Sequence, residues 1–451
     1  MTPLAELASL TDSAWLVGGA VRDELLGRSC TDFDLALEGD ARRVARSLGR
    51  ATGANSFALS DAFGAWRVTA ADRSWQVDLT PLTGATLEAD LANRDLTINA
   101  IARPVGGGEL IDPFGGAKDL AARRLKMVSD ASFVSDPLRV VRLARLAAGL
   151  GFEIDPATLA AAGSAAAALP QVAGERLFAE LKQIVAGEDP VKGLSLLASV
   201  GALAVLLPEL DALHGVEQSA YHHLDVYEHT LAVLEYAAAP PLSAPGLEQF
   251  LDQPLADDMS RREALRWGAL MHDIAKPQTQ GVSPEGKITF YGHDEQGAEL
   301  ARGILSRLRA SERLISHVGA LTRHHLTLGF MVHRQPLSAR DVYDYLARTE
   351  PVGVDVTLLS VADRLATRGR NAERAIDKHV ALATEILPAA LDWQSDRPRS
   401  PIRGDVLATA LGREPGPWLS GAIDELTRAR YAGEIEPTPE AAVEHARAWL
   451  E

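Results

Sequence analysis

The sequence predicts an α+β chain in which a mixed-sheet unit at the N-terminus is followed by a long, mostly helical remainder. Three observations carry that prediction. Strand-like alternation is concentrated early, at residues 33–37, 55–59, 64–70 and 74–79. From about residue 126 the apolar positions recur with the helical period. Ala, Leu and Arg are abundant and aromatics make up only 5% of the chain, a composition that favours helix.

In chain order, an apolar step at 16–17 runs into Gly18 and Gly19, and a helix over about 19–27 follows. The next strand carries Asp32 and Asp34 at alternate positions, so both carboxylates lie on one face. An Arg-rich helix over 39–49 precedes the remaining strands, with a turn at 71–73. The strand at 74–79 ends in Val77-Asp78, which offers a third acid. Residues 86–101 read as one helix opened by a Thr86/Asp90 capping box, with Asp95 and Asn99 four apart on one face. Gly106–Gly108 and the IDPFGG run at 111–116 are turns. Beyond them, Ser135 or Asp136 caps a helix that has Pro137 in its first turn. Helices are expected at 157–168, 174–187, 223–239, 260–275, 292–309, 311–326 and 353–369. The tail from about 385 is expected to hold Pro-rich breaks and two amphipathic helices. The domains expected are a head at 1–125, a helical neck at 126–212, a metal-binding helical domain at 213–380 and a tail at 381–451.

At 451 residues the chain can bury ample core over roughly two to four domains. A single cysteine, Cys30, excludes an internal disulfide and a Cys-rich zinc site. No charged-then-apolar leader opens the sequence and no run of about 18 apolar residues occurs, so a cytoplasmic chain is expected. The net charge of −16 argues against indiscriminate nucleic-acid binding and leaves local basic faces as the alternative. Arg42, Arg43, Arg46 and Arg50 form one such cluster, and Arg139, Arg142 and Arg145 another; each also fits a plain solvated helix face. All 12 histidines lie at or after His214, which points to two different chemistries in the two halves.

Paired carboxylates near a glycine turn suit Mg²⁺ and a triphosphate. Glycines let the backbone approach phosphate oxygens, and the acids hold hard cations through oxygen. Taken alone, Asp32 and Asp34 also fit a surface turn with two solvated acids. The stretches LVGGAVRDELLGRSCTDFDLAL (16–37), RDLTINAIA (94–102), IDPFGG (111–116), SDPLRVVRLARLAAGLGF (135–152) and ERLFAEL (175–181) together resemble the class II tRNA nucleotidyltransferase and poly(A) polymerase family. The resemblance implies a polymerase-β-like head that transfers nucleotides to a tRNA 3′ end. It implies Mg²⁺ at Asp32 and Asp34 with Asp78 as a further catalytic acid. It also implies phosphate contacts from Gly18, Gly19 and Arg22, and ribose and triphosphate contacts from Arg94, Asp95 and Asn99. Asp136 and Arg139, with Arg142 nearby, resemble the protein template that reads the base edge; a plain i, i+3 salt bridge is the alternative for the first two.

Three departures from the family pattern stand out. Ser135 replaces the usual acid before Asp136, and Asn93 replaces the first of two arginines before Asp95. The segment DLTPLTGAT at 78–86 leaves only a tight Pro81/Gly84 turn where relatives that add the terminal A carry a longer loop. That departure implies a CC-adding enzyme using CTP, with a separate A-adding enzyme acting next. Complete CCA addition with CTP and ATP is the alternative, and poly(A) or A-only activity a further one.

The second half carries His229, the adjacent pair His272-Asp273, His293, His324, His325 and Asp363 on predicted helices. Helices that converge imidazoles and carboxylates suit transition metals. These residues resemble the HD superfamily, which implies a first site of His229, His272, Asp273 and Asp363 and further ligands His293, His324 and His325. It implies one or two divalent metals (Mn, Ni, Co, Fe or Zn), a phosphate contact at Lys276, and hydrolysis of 2′,3′-cyclic or terminal phosphates during 3′-end repair. His222, His223, His317 and His333 read as ordinary histidines. Two rival functions fit parts of this pattern: a phosphohydrolase whose N-terminal half only grips RNA, and a non-catalytic RNA-binding module.

Overall fold

The computed structural model describes residues 3–60, 63–218, 223–368 and 372–451. The chain divides into two compact units, Met1–Leu206 and Leu207–Glu451. His222 lies outside the described residues.

The first unit is built on a six-stranded sheet of β1 (Ala14–Val17), β2 (Asp32–Leu37), β3 (Asn55–Ser60), β4 (Ala65–Thr69), β5 (Gln76–Pro81) and β6 (Ala102–Pro104). The strand order is β3-β4-β5-β2-β1-β6, with β2 and β5 parallel and every other pair antiparallel. The helix Ala41–Thr52 packs Val44, Ala45 and Leu48 against Leu35, Leu37, Val68, Val77 and Leu79 of the sheet. Because strand side chains alternate, burying Leu35 and Leu37 on that face turns Asp32 and Asp34 to the other. Asp40 caps this helix, accepting from the backbone N–H groups of Arg42 and Arg43, and Gly53 ends it in the left-handed conformation.

The single helix expected over 86–101 does not form. Thr86 does cap a helix, but it spans only Leu87–Ala92, and Thr86 accepts from Ala89 N–H with no reciprocal bond from Asp90. Asp90 instead accepts from Thr83 N–H and from Arg94. The chain then leaves the helix because tertiary partners claim its backbone: Thr97 N–H donates to Lys126 O, and Val128 N–H to Asp95 O. A short 3-10 turn, Thr97–Asn99, follows.

The IDPFGG turn has a direct mechanical role. The Asp112 carboxylate accepts from the N–H groups of Gly116 (2.7 Å) and Ala117 (2.9 Å), starting the helix Gly116–Ala121. That helix presses so closely on the Thr97–Asn99 turn that a Cβ on Gly116 would lie 2.0 Å from Thr97 O and 2.8 Å from Ile101. Only glycine fits there.

The rest of the first unit is helical, including Leu138–Leu150, Gly174–Ala186 and Pro190–Ser199. Pro137, rather than Ser135 or Asp136, occupies the cap position of Leu138–Leu150, although Asp136 accepts from Leu138 N–H at 3.2 Å. A two-residue parallel pairing joins Arg124–Leu125 to Glu153–Ile154.

In the second unit the helices Val226–Ala238, Arg261–Met271, His293–Arg307, Glu312–His324 and Gly353–Ala366 enclose a core that includes the fully buried Trp267. The tail differs from expectation. Ala372–Ser395 is one long helix that tolerates Pro388 in its interior, offset by burial of Ile386, Leu387, Ala390 and Trp393. Three helices follow rather than two: Gly404–Leu411, Pro417–Tyr431 and Pro439–Leu450. They share a separate core of Ile402, Leu407, Ala422, Leu426, Ala442 and Ala446. Among the described residues, no helix is long and apolar enough to cross a membrane.

The Gly116 contact yields a stability test. Gly116→Ala should destabilise the first unit by about 1–3 kcal/mol or more through overpacking against backbone, read as a lower thermal unfolding midpoint. Ala117→Gly, at the next position, is the control for helix propensity alone.

Candidate active sites

In the first unit the sheet brings together the residues expected of a nucleotidyl-transfer site. Gly18 sits between β1 and the helix Gly19–Leu25 with φ +71°. A Cβ there would lie 2.8 Å from the Arg94 guanidinium and 3.7 Å from Asp34 Oδ2. The arginine and the carboxylate therefore both approach the glycine turn, and a larger residue at position 18 would displace the guanidinium.

Asp34 and Asp78 stand side by side across the β2–β5 pairing. Asp34 lies on the open face of the strand, yet the protein crowded around it partly desolvates its carboxyl, and repulsion from Asp32 and Asp78 adds to that, pushing it up to about 6. Crowded oxygens of this kind are relieved by a hard divalent cation, so the donor set fits Mg²⁺. Asp78 is not a free third acid: Arg67 of β4 grips both its oxygens, Nε and a terminal nitrogen each at 2.7 Å. The sequence gives Asp78 a place on the right face, and a basic neighbour one strand over occupies it.

A continuous polar chain runs behind these acids. Arg22 donates to Asp23 and, at 2.9 Å, to Asn99 Oδ1. Asn99 donates to Asp95 Oδ1 at 3.0 Å, and Arg142 Nε donates to Asp95 Oδ2 at 2.9 Å. Arg142 and Arg145 both donate to the buried Glu180. Burial opposes charge on Asp95, which is only 5% exposed, yet Arg142 and Asn99 outweigh it and hold the carboxyl down at about 2. Asp95, expected to accept from a ribose hydroxyl, already accepts from Leu96 N–H, Asn99 and Arg142, so it also fixes the neighbours it binds. Asp95 and Asn99 do meet, though around the 3-10 turn and not on a helix face. Arg142 and Arg145 are likewise not a solvated face.

Asp136 and Arg139 do not pair with each other, so the i, i+3 salt-bridge alternative is not what the structure holds. Asp136 pairs with Arg176 at 2.8 Å. Arg139 donates to the carbonyls of Ser132 (3.0 Å), Arg94 (3.3 Å) and Asn93. Ser135 Oγ adds only a long 3.4 Å contact, so backbone carbonyls give Arg139 its support.

The second unit gathers a denser centre around Asp273, which is 1% exposed. His272 Nε2 lies 3.0 Å and His229 Nε2 3.6 Å from Asp273 Oδ2, while His293 Nε2 is 3.3 Å and His325 Nε2 3.9 Å from Oδ1. His229 Nε2 is also 3.1 Å from Asp363. The donor atoms form two groups, His229/His272/Asp363 and Asp273/His293/His325, each within 4.8 Å.

Ring tautomers decide what these groups can hold. Nδ1 of His272, His293 and His325 lies 2.7, 2.7 and 2.6 Å from the carbonyls of Ala269, Phe290 and Thr322, three residues earlier in each case. A carbonyl only accepts, so each Nδ1 carries the proton and each Nε2 presents a lone pair in the neutral ring. Two such lone pairs face each other at 3.2 Å between His293 and His325. Burial, then His272 and His293, push His325 down to about 4, which keeps it neutral. Converging neutral imidazoles beside carboxylates, each ring braced from behind by a carbonyl, fit a divalent transition metal.

His324 falls outside both groups. It is adjacent to His325 on a helical turn and so points about 100° away; its neighbours include Arg348 and Arg323. Lys276 Nζ is 2.6 Å from Asp273 Oδ2 and donates to Gln218 at 2.6 Å, so it braces the central carboxylate. His317 is buried 3.8 Å from Asp355, while His223 and His333 are exposed.

An open cleft of about 730 Å³ lies beside this centre, with Asp273, His293, His325 and Asp363 in its wall. Residues missed in the sequence complete it. Arg364, next to Asp363, buries its Nε without a hydrogen-bond partner. Ser360 and His379 share a 3.0 Å hydrogen bond, His379 being carried by the long helix Ala372–Ser395. Adjacency to Asp363 was the one signal available for Arg364.

Comparison with known proteins finds matches along most of the chain. The poly A polymerase head domain matches residues 14–82 and 62–126, the probable RNA and SrmB-binding site of polymerase A matches 151–213, and the HD domain matches 226–368. An A-adding tRNA nucleotidyltransferase of Deinococcus radiodurans is 36% identical over 444 residues, covering 97% of this chain and 96% of the relative. A CC-adding tRNA nucleotidyltransferase of Thermus thermophilus is 35% identical over 438 residues, covering 95% and 92%. The fold is shared with a solved CCA-adding enzyme of Thermotoga maritima in complex with tRNA, at 20% identity, TM-score 0.63 and coverage of 99% and 94%. From head to HD domain, and at this identity along nearly its whole length, the chain belongs to the tRNA nucleotidyltransferase and poly(A) polymerase family.

Proposed function

We propose that this tRNA nucleotidyltransferase adds CMP residues from CTP to the acceptor end of tRNA, and that its HD domain trims damaged 3′ ends by hydrolysing 2′,3′-cyclic or terminal phosphates. The observation that carries the transferase reading is the convergence of Arg94 and Asp34 on the Gly18 turn, with Asp34 on the sheet face opposite the Ala41–Thr52 helix. Asp32 and Asp34 would hold Mg²⁺, which when bound offsets triphosphate charge and favours in-line attack by the RNA 3′-hydroxyl. Arg22 and Arg94 bind phosphate oxygens. Asp95 orients Asn99 and Arg142 and is a positioning residue. Arg139, locked by carbonyls, and Asp136 present a donor and an acceptor to the Watson–Crick edge of the incoming base.

Restriction to CC rests on the connection after β5. The strand runs to Pro81 and the chain is capped into the next helix by Thr86, which leaves no lever to re-shape the base pocket for ATP. A separate A-adding enzyme would then complete the end. Relatives of nearly equal identity bear the names A-adding and CC-adding, and a multifunctional CCA protein of Actinobacillus pleuropneumoniae is 34% identical over 350 residues, so overall likeness does not choose. The deciding experiment extends tRNA ending before CCA with CTP alone and with CTP plus ATP. Two added nucleotides under both conditions are expected. A third with ATP would mean full CCA addition. No extension of that substrate, together with one added nucleotide on tRNA ending in CC, would mean A addition.

For the HD domain the supporting observation is the set of facing Nε2 lone pairs around Asp273. His229, His272, Asp273, His293, His325 and Asp363 would hold one or two divalent transition metals, which when bound supply an activated water for attack on phosphorus. Asp32→Ala with Asp34→Ala should lower CMP incorporation by about 10³-fold or more and leave hydrolysis of nucleoside 2′,3′-cyclic phosphate intact. His272→Ala with Asp273→Ala should do the reverse. Loss of both activities from either pair would contradict two independent sites.

A further inference from the structure

The cleft beside Asp273 is larger and more aromatic than a phosphate requires. Tyr291 and Phe330 both line it, and they are 84% and 70% exposed. Tyr291 lies two residues before His293, and Phe330 five residues after His325, so the segments that aim these imidazoles also carry the rings. Phe290, also in the wall, is already covered by Lys276, whose Nζ stands 5.3 Å from the ring centroid. Tyr291 and Phe330 have no such cover among the ring contacts of the described residues.

We propose that Tyr291 and Phe330 form a nucleobase subsite, which stacks the base of a nucleoside phosphate whose phosphate faces Asp273 and its histidines. The inference deepens the hydrolytic reading of the HD domain and rests on it. Large exposed rings beside a cleft mark a binding surface more than a packing element. The ligand must be flat and apolar at one end and anionic at the other. Lys276 and Arg364 lie in the same wall and supply cationic side chains for the anionic end. A volume of about 730 Å³ lies within the range of small-molecule sites and leaves room for a base as well as a phosphate. Stacking does not distinguish one base from another, so the subsite separates nucleotides from base-free phosphate esters and accepts any terminal base.

The test uses the full chain carrying Asp32→Ala and Asp34→Ala, which silences the head, loaded with Mn²⁺. Adenosine 2′,3′-cyclic phosphate and ribose 2,3-cyclic phosphate are compared by calorimetric binding and by turnover, before and after Tyr291→Ala and Phe330→Ala. Each substitution should weaken binding of the adenosine compound about five- to 150-fold and leave the ribose compound and the bound Mn²⁺ unchanged. Tyr291→Phe should retain the wild-type preference. Base-dependent binding without turnover would support the subsite and overturn the hydrolase reading. Turnover of both compounds with no effect of either alanine would overturn the subsite and leave the hydrolase standing. Absence of both binding and turnover would overturn both.

Discussion

The second unit is organised around a buried carboxylate that has to stay ionised. Asp273 lies 1% exposed among four imidazole Nε2 atoms and an ammonium group. Burial alone drives a carboxyl toward its neutral form, but a protonated His272, itself raised by Asp273, and Lys276 overcome this and hold Asp273 well below the usual range. Five side chains from separate helices and turns must therefore arrive together, and the apolar packing around Trp267 and its neighbours fixes the elements that deliver them. Backbone carbonyls then hold the Nδ1 proton of three rings, so in each neutral ring the free electron pair is the inward-facing one on Nε2.

The first unit meets the same electrostatic problem by different means. Its acids sit on a strand face that opens to solvent, and repulsion among Asp32, Asp34 and Asp78 is moderated by arginines from other elements. Arg67 takes Asp78, Arg142 takes Asp95, and Arg139 is fastened to carbonyls. The outcome is a cleft in which Asp34 remains under-compensated beside a glycine turn. That imbalance is what a divalent cation and a triphosphate would resolve.

Much of this was legible because local rules and tertiary structure agree. Period-two spacing put Asp32 and Asp34 together, and helical periodicity placed His229, His272, His293 and Asp363 on or at the ends of helices. The failures share a cause. Residues 86–101 have helical composition, but hydrogen bonds to Lys126 and Val128, distant in sequence, pull the chain out of the helix. Pro388 looked like a break because propensity counts its cost and not the burial of Ile386 and Trp393. His324 and His325 cannot be told apart by spacing to a ligand on another element. Only the packed rotation of the helix selects His325. Arg67 against Asp78 is a cross-strand pairing, and the register that creates it is not visible in single-strand patterns.

Crystals grown with Mn²⁺ and measured at a wavelength that reports its anomalous scattering would test the central claim, that the facing lone pairs in the second unit and the crowded acids in the first are cation sites. The account predicts anomalous density enclosed by His229, His272, Asp363, Asp273, His293 and His325, and a separate feature against Asp32 and Asp34. Density at neither place, with the imidazoles re-paired to one another or to water, would contradict it.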